Sequence, residues 1–510
     1  MRRYDAAIIG AGHNGLTAAA YLARAGLSVI VLERREALGG AAVSEPTWPG
    51  YTVSTGSYVC SLLDPQIIED LDLRVHGYDA YIKDPHSFTP LRDGRSLLLG
   101  RDAASNHREI AAFSPEDVRG SHAFEELASS LGSQLFETFS DANPEFAKFS
   151  ARTQSLLCGS VADLVERFVQ TPVLAAMLAN NGLVGTYAGP RNAGTGYVLA
   201  HHYAGRATGI QGAWGFVRGG MGAISRALWG SAQTAGAHIR SNSEVGKVSV
   251  RHGRAHGVTL ADGTEIEARA ILSNADPKTT FLDLAPPDAF DAVFLERVRA
   301  WKTTGPSLKL NLALGELPNF TARPGTHLQE HHKATIHVAP SVDYLQTAYE
   351  DALAGGVSRA PMLEGFMQTP TDTSLAPRGK HILSIFAQYF PYDRTDEPWS
   401  DRARDAAADS IINVLAQFAP NLPNIIEARQ LLAPPDLEAL FGMRGGHIFH
   451  GELLPGQIYE HRFATRTPLG GLYLCGSGAH PGGCVSGFPG KRAANAVVND
   501  LREPALAVGG

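Results

Sequence analysis

The segment D-A-A-I-I-G-A-G-H-N-G-L-T-A-A-A-Y-L-A-R-A-G-L-S-V-I-V-L-E-R, Asp5 to Arg34, leaves the fold around it little freedom. Ala6 to Ile9 is a short apolar run. Gly10, Gly12 and Gly15 follow in G-x-G-x-x-G spacing, and Leu16, Ala19, Ala20 and Ala23 then recur at helical spacing up to Gly26, a residue suited to a helix C-terminus. Ser28 to Leu32 is a second strand-like run, closed by Glu33. This is a strand–helix–strand unit. Gly10 allows the tight turn out of the strand, Gly12 presents no side chain to a pyrophosphate, and Gly15 lets the helix pack close to the strand. The free N–H groups at the helix start then face phosphates, and Glu33 stands where a carboxylate can accept hydrogen bonds from ribose hydroxyls. That acid disfavours an adenosine 2′-phosphate, so the spacing predicts a dinucleotide site for NAD or FAD rather than NADP.

The rest of the chain sets bounds on what the site serves. At 510 residues it is too long for one simple core, so two or more domains are expected. Hydrophobic residues make up 44% and charged residues 19%, as in an ordinary globular protein, and a net charge of −7 gives no basic face for nucleic acid. Cys60, Cys158, Cys475 and Cys484 are too scattered for a zinc pattern, a disulfide framework or a C-x-x-C redox pair. A reducing compartment fits them. The first strand begins at about residue 4, which leaves no room for a signal or transit peptide, and no apolar run reaches the ~18–20 residues of a membrane span. The expected location is cytoplasmic, with peripheral contact at a membrane surface left open.

Along the chain, D-L-V-E-R-F-V-Q-T-P-V-L-A-A-M-L-A-N-N-G-L reads as helix-rich, and Ile224, Ala227 and Leu228 share one face of a helix after Arg218-Gly219-Gly220-Met221. From Ala237 the text alternates, with turn signals at His252-Gly253 and Asp262-Gly263, as in a β-meander that ends in a strand at Ala270 to Ser273. S-L-K-L-N-L-A-L and H-I-L-S-I-F-A-Q-Y-F read as strands, and a long helix follows Pro398-Trp399-Ser400. Leu472 to Cys475 reads as a strand, Gly476 to Gly483 as a glycine-rich loop, and Val485 onward as a final helix. No second strand–G-x-G-x-x-G–helix unit is present, so a separate nicotinamide site is not expected.

Specific motifs carry a family resemblance. Past Glu33 the chain continues E-R-R-E-A-L-G-G-A-A, and near its end it reads L-Y-L-C-G-S-G-A-H-P-G-G-C-V-S-G-F-P-G-K-R-A-A. With G-A-G-H-N-G-L-T-A-A-A-Y-L-A-R-A-G and G-G-H-I-F-H-G-E-L-L-P-G-Q-I-Y-E-H-R, these resemble the phytoene dehydrogenase-like family of FAD-dependent oxidoreductases, close to its carotenoid ketolases. The resemblance implies FAD as cofactor and an α/β fold. In it, a discontinuous Rossmann-type FAD-binding domain (1–75, 211–285 and 441–503) joins a mixed sheet-and-helix α+β substrate or cap domain (76–210 and 286–440), with a tail at 504–510. It implies flavin contacts from Gly10, Gly12, His13, Asn14, Gly15, Glu33, Arg34, Gly39, Gly40, Ala41 and Ala42. Val245 would meet adenine through its backbone. Gly476, Ser477, Gly483, Cys484, Val485 and Ser486 complete the set, with the last helix starting at Gly483 to Ser486 and pointing at the flavin ring.

Individual side chains allow sharper and blander readings. His480, in the flavin-facing loop, is the candidate catalytic residue, able to orient substrate or move a proton; its bland alternative is a hydrogen bond within its own loop. His447 and His450 have i,i+3 spacing but no visible third ligand, so no metal is expected. His201-His202-Tyr203 reads as the polar end of a helix, and Cys484 as a small packing residue rather than a covalent flavin link. The resemblance implies oxidation of a small apolar substrate, polyene or isoprenoid, by hydride transfer to flavin N5, with oxygen or a quinone as acceptor. Ketolase-type oxygenation is the nearest enzymatic alternative, an FAD-binding scaffold or assembly protein is the non-enzymatic one, and amine oxidation ranks below them.

Overall fold

The computed structural model describes residues 3–502, so residue 503 and the 504–510 tail lie outside the described residues. Two seven-stranded sheets organise them. In the first, Arg3–Ile9 runs parallel between Glu265–Ser273 and Val29–Leu32, and Leu472–Leu474 adds in parallel to the end of Glu265–Ser273. Both faces of these strands are covered, which is why they read as continuous apolar runs. One face packs on the helices His13–Arg24, Gly222–Thr234 and Phe488–Arg502, whose Leu16, Ile224, Leu228 and Val497 are fully buried. The other meets Phe281, Phe290, Trp301 and Phe463.

The alternating segment after Ala237 divides. Val245–Arg251 and Arg254–Leu260 form the expected hairpin, turning at His252 and Gly253, both with positive φ. His238–Arg240 instead pairs in parallel with Val29–Leu32 at the opposite edge of the sheet, so it is no part of a meander. The final strand is longer than its apolar core, because Glu265–Glu267 is held by the hairpin while Ile271–Ser273 reaches into the parallel core.

The second sheet has the order Ile426–Leu432, Ser307–Leu314, His381–Gln388, Met362–Phe366, Thr335–Val338, Ser87–Pro90, Ser96–Leu99. Side chains alternate across a strand. Leu308, Leu310, Leu312, Ile336, Leu383 and Ile385 fill one face beneath the helix Asp401–Ala416, which Ser400 caps by accepting the Ala403 N–H. The opposite face carries Lys309, Phe386, Glu364 and His337. Lys309 faces Phe386, Phe386 faces Glu364, and Glu364 faces His337, one row across four neighbouring strands. Helices from Pro115–Phe136 to Thr195–His202 cover this row. Among the described residues no helix is long and apolar enough to cross a membrane.

Candidate active site

The parallel strands Arg3–Ile9, Val29–Leu32 and Glu265–Ser273 end at Gly10, Glu33 and Asn274, and a cleft opens at that edge. In open α/β sheets this is where nucleotides bind. Of the residues expected from sequence, Gly10, Gly12, His13, Asn14, Glu33, Arg34, Gly40, Ala41, Val245, Ser477, Cys484 and Val485 line it. The others shape its turns. A Cβ on Gly15 would stand 2.2 Å from the Gly10 carbonyl oxygen, so only glycine permits this approach of helix to strand. Gly39 donates its N–H to the Ala11 carbonyl, and the Ala42 carbonyl accepts from Ser225 Oγ. Gly476 lies against the Asn274 backbone, Gly483 against the Phe449 ring, and the Ser486 carbonyl accepts from Asp64 N–H.

The residues present fit a dinucleotide. Glu33 is buried, and its two oxygens accept the N–H groups of Ala11 (2.8 Å) and Arg35 (3.0 Å), which leaves each a lone pair for a hydroxyl. Gly12 keeps the floor bare, since a Cβ there would come within 2.7 Å of Asn274 Nδ2. His13 Nε2 and Asn14 Oδ1 are buried without a protein partner, polar atoms that a bound phosphate group and its water would satisfy. Burial and then the nearby His450 lower the His13 imidazole to about 4, so it is neutral at ordinary pH.

Three expectations need correction. The closing helix begins at Phe488, not at Val485, because Gly487 has φ +80°, a conformation outside an α-helix; Gly483 to Ser486 precede the helix as irregular backbone. His480 does not face the cleft. Its ring is packed against Phe139 and Tyr459, and its Nε2 lies 3.1 Å from the Thr138 carbonyl, so it cannot meet substrate and is not the catalytic residue. His201 and His202 are not a polar helix end; both are buried, and His202 lines the cleft. His447 and His450 diverge to separate carboxylates, Glu452 at 3.3 Å and Asp276 at 3.5 Å. Cys484 does reach the cleft, but burial pushes its thiol up to about 12, which keeps it out of the nucleophilic thiolate form.

Sequence reasoning missed the wall opposite the sheet edge. Tyr58, Val184, Trp214, Phe386, Ile448 and Lys309 close the cleft there. The Lys309 amine is 4.0 Å from the centre of the Tyr58 ring, has no hydrogen-bond partner, and burial drives its pKa far below the usual lysine range. It is a neutral amine inside the site. Arg462 was missed as well: its buried guanidinium donates to the carbonyls of Phe449, Glu452, Gln457 and Ser477 and so fixes the loop that carries Ser477. A second cavity shares Tyr58, Val59, Val184, His202 and Trp214 with the cleft, so the two meet along a mostly apolar wall.

A nucleotide cleft at a parallel sheet edge, opening onto a chamber over a second sheet, is the construction of an FAD-dependent oxidoreductase. The chain belongs to the flavin containing amine oxidoreductase family, which matches residues 15–498. It is 40% identical to pyridine nucleotide-disulfide oxidoreductase domain-containing protein 2 of Mus musculus, over 98% of this chain and 94% of that one. It is 28% identical to the phytoene desaturase (lycopene-forming) of Pseudescherichia vulneris, over 97% of this chain and 99% of that one. Among solved structures, wild-type putrescine oxidase bound to putrescine shares the fold, with a TM-score of 0.65 at 16% identity over 98% of this chain and 99% of that one. The resemblance to phytoene dehydrogenase-like enzymes therefore holds, as do the α/β fold and FAD as cofactor.

Proposed function

We propose that this oxidoreductase oxidises a largely apolar substrate, polyene or isoprenoid in character, at a C–H bond, with oxygen or a quinone taking up the reducing equivalents. The observation that carries the reading is the wall of Tyr58, Val59, Val184 and Trp214, common to the cleft and the second cavity. It offers a hydrocarbon a water-poor path to the cofactor. The likeness to a phytoene desaturase supports the same substrate class.

Bound FAD supplies a two-electron acceptor. The chain's own residues do the rest. Glu33 holds the adenosine ribose, Val245 lies along the adenine, and His13, Asn14 and Ser477 face the pyrophosphate. Arg34, Gly40, Ala41, Cys484 and Val485 frame the remainder. Tyr58 and Phe386 exclude water and flatten the substrate against the cofactor. Lys309, neutral and unpartnered, holds or accepts a proton at the reacting face.

The test is anaerobic mixing of the yellow holoprotein with micellar polyenes and isoprenoids while flavin absorbance is followed. Bleaching by such a donor, reversed by oxygen or a quinone, is the expected result. A flavin inert to every apolar donor overturns the reading in favour of an FAD-binding scaffold.

A further inference from the structure

The row Lys309–Phe386–Glu364–His337 is a ruler laid across the second sheet. Neighbouring strands lie about 4.8 Å apart, so Glu364 stands roughly 10 Å from Lys309 along the row. Lys309 and Phe386 line the cofactor cleft; Glu364 and His337 line the second cavity. Between them the lining is Tyr58, Val59 and Phe366, and at the far end its chemistry changes. Lys83 enters from a neighbouring segment, donates to Thr335 Oγ1 and stands 4.9 Å from the centre of the Phe366 ring. Glu364 accepts from Asn180 Nδ2, and His337 Nδ1, 3.7 Å from Glu364, has no hydrogen-bond partner.

This cluster is costly. Burial lowers Lys83 to about 8 and raises Glu364 to about 7, with each partly offsetting the shift of the other. Apolar side chains of similar volume would fill the space with less penalty. The sheet keeps a donor and an acceptor side by side in a chamber that is otherwise mostly apolar.

The geometry points to a long-chain alcohol as the substrate: its hydroxyl sits between Lys83 and Glu364, and its carbon chain runs past Phe366 and Tyr58 toward Lys309. A hydroxyl accepts from the lysine and donates to the carboxyl group at once. A carboxylate would meet Glu364 as well as Lys83, and a plain hydrocarbon would strip water from both groups and satisfy neither. The assignment rests on the proposed oxidation of an apolar substrate, yet it is read by binding alone.

The holoprotein is titrated with decane, 1-decanol and decanoate in turn, and binding is followed by the perturbation of the flavin spectrum and by calorimetry. The alcohol is expected to bind at least about tenfold tighter than the alkane and than the acid. The double substitution K83M/E364L removes both charges without stranding either, and is expected to bring alcohol and alkane to within about twofold while the flavin is retained. K83M alone gives the same loss of preference if it folds. A wild-type preference for decanoate, equal binding of alcohol and alkane, no binding of the alcohol, or a preference that survives the double substitution overturns the assignment. Failure of the oxidoreductase reading shows separately, as alcohol binding with no donor able to bleach the flavin.

Discussion

Lys309 stands directly across from Phe386 in an antiparallel strand pair, and its amine lies 4.0 Å from the centre of the Tyr58 ring. A flexible, ordinarily charged side chain is thereby held inside an apolar wall, at the boundary between the cofactor cleft and the chamber beyond. Its neighbours in the row give it no partner, so what it does is left to whatever the cleft admits.

Lys309→Met is expected to keep the flavin and to slow its reduction by substrate about 100-fold, the lower range for loss of a group that handles a proton. Stopped-flow reduction beside a flavin-to-protein absorbance ratio measures both. Reduction at the wild-type rate removes Lys309 from the chemistry.

Gly12→Ala places a methyl group on the cofactor floor, 2.7 Å from Asn274 Nδ2 before any adjustment. The backbone there is in an ordinary conformation, so the protein should fold but hold FAD about tenfold more weakly. Equilibrium dialysis against free FAD gives the number. Undiminished affinity would mean the dinucleotide lies elsewhere.

His480→Asn should cost about 1–2 kcal/mol of stability, through the lost contact with the Thr138 carbonyl and the aromatic packing, and should leave turnover nearly unchanged. Urea midpoints and steady-state rates separate the two effects. A collapse of turnover at unchanged stability would restore His480 to a catalytic role.

Acid should destabilise the fold early. Burial lowers the imidazoles of His201 and His202 to about 3 and about 4, below the ordinary 6.5. The unfolded chain therefore binds these protons first. The stability tied to the two neutral rings is present above pH 6.5 and is lost as pH falls through 6.5 toward 4, by up to about 1.4 kcal/mol per pH unit for each ring. Denaturant midpoints at a series of pH values from neutral downward test this. His202→Asn should flatten the slope, and a midpoint that holds steady across the window contradicts the assignment.

What the sequence disclosed, and what it hid, has a physical pattern. The opening unit was legible because glycine spacing, helix period and terminal acid all lie within one short segment, and each is forced by the backbone. Lys309 was hidden by its own strand. In S-L-K-L-N-L-A-L the leucines mark one buried face, and alternation alone would put lysine and asparagine in water; here the second face is also covered, and Lys309 is 3% exposed. A lysine in the middle of such a strand was the signal available. The row from Lys309 to His337 needs the register of four segments far apart in the chain, which no local pattern carries. His480 misled because nearness in sequence to the glycine loop says nothing about which way a ring turns, and Thr138, from a distant segment, decides it.

The order in which the cofactor sheet is strung together bears on its biosynthesis. Its central strand, Arg3–Ile9, leaves the ribosome first, yet it shares a sheet with Leu472–Leu474, and the helix behind it packs on Phe488–Arg502. A nascent chain can make the phosphate turn at once but cannot close the pocket around it until translation is nearly done. Flavin loading is thus a late, post-translational event, and a chain stalled before Leu472 would emerge with a nucleotide motif and no means of keeping a nucleotide.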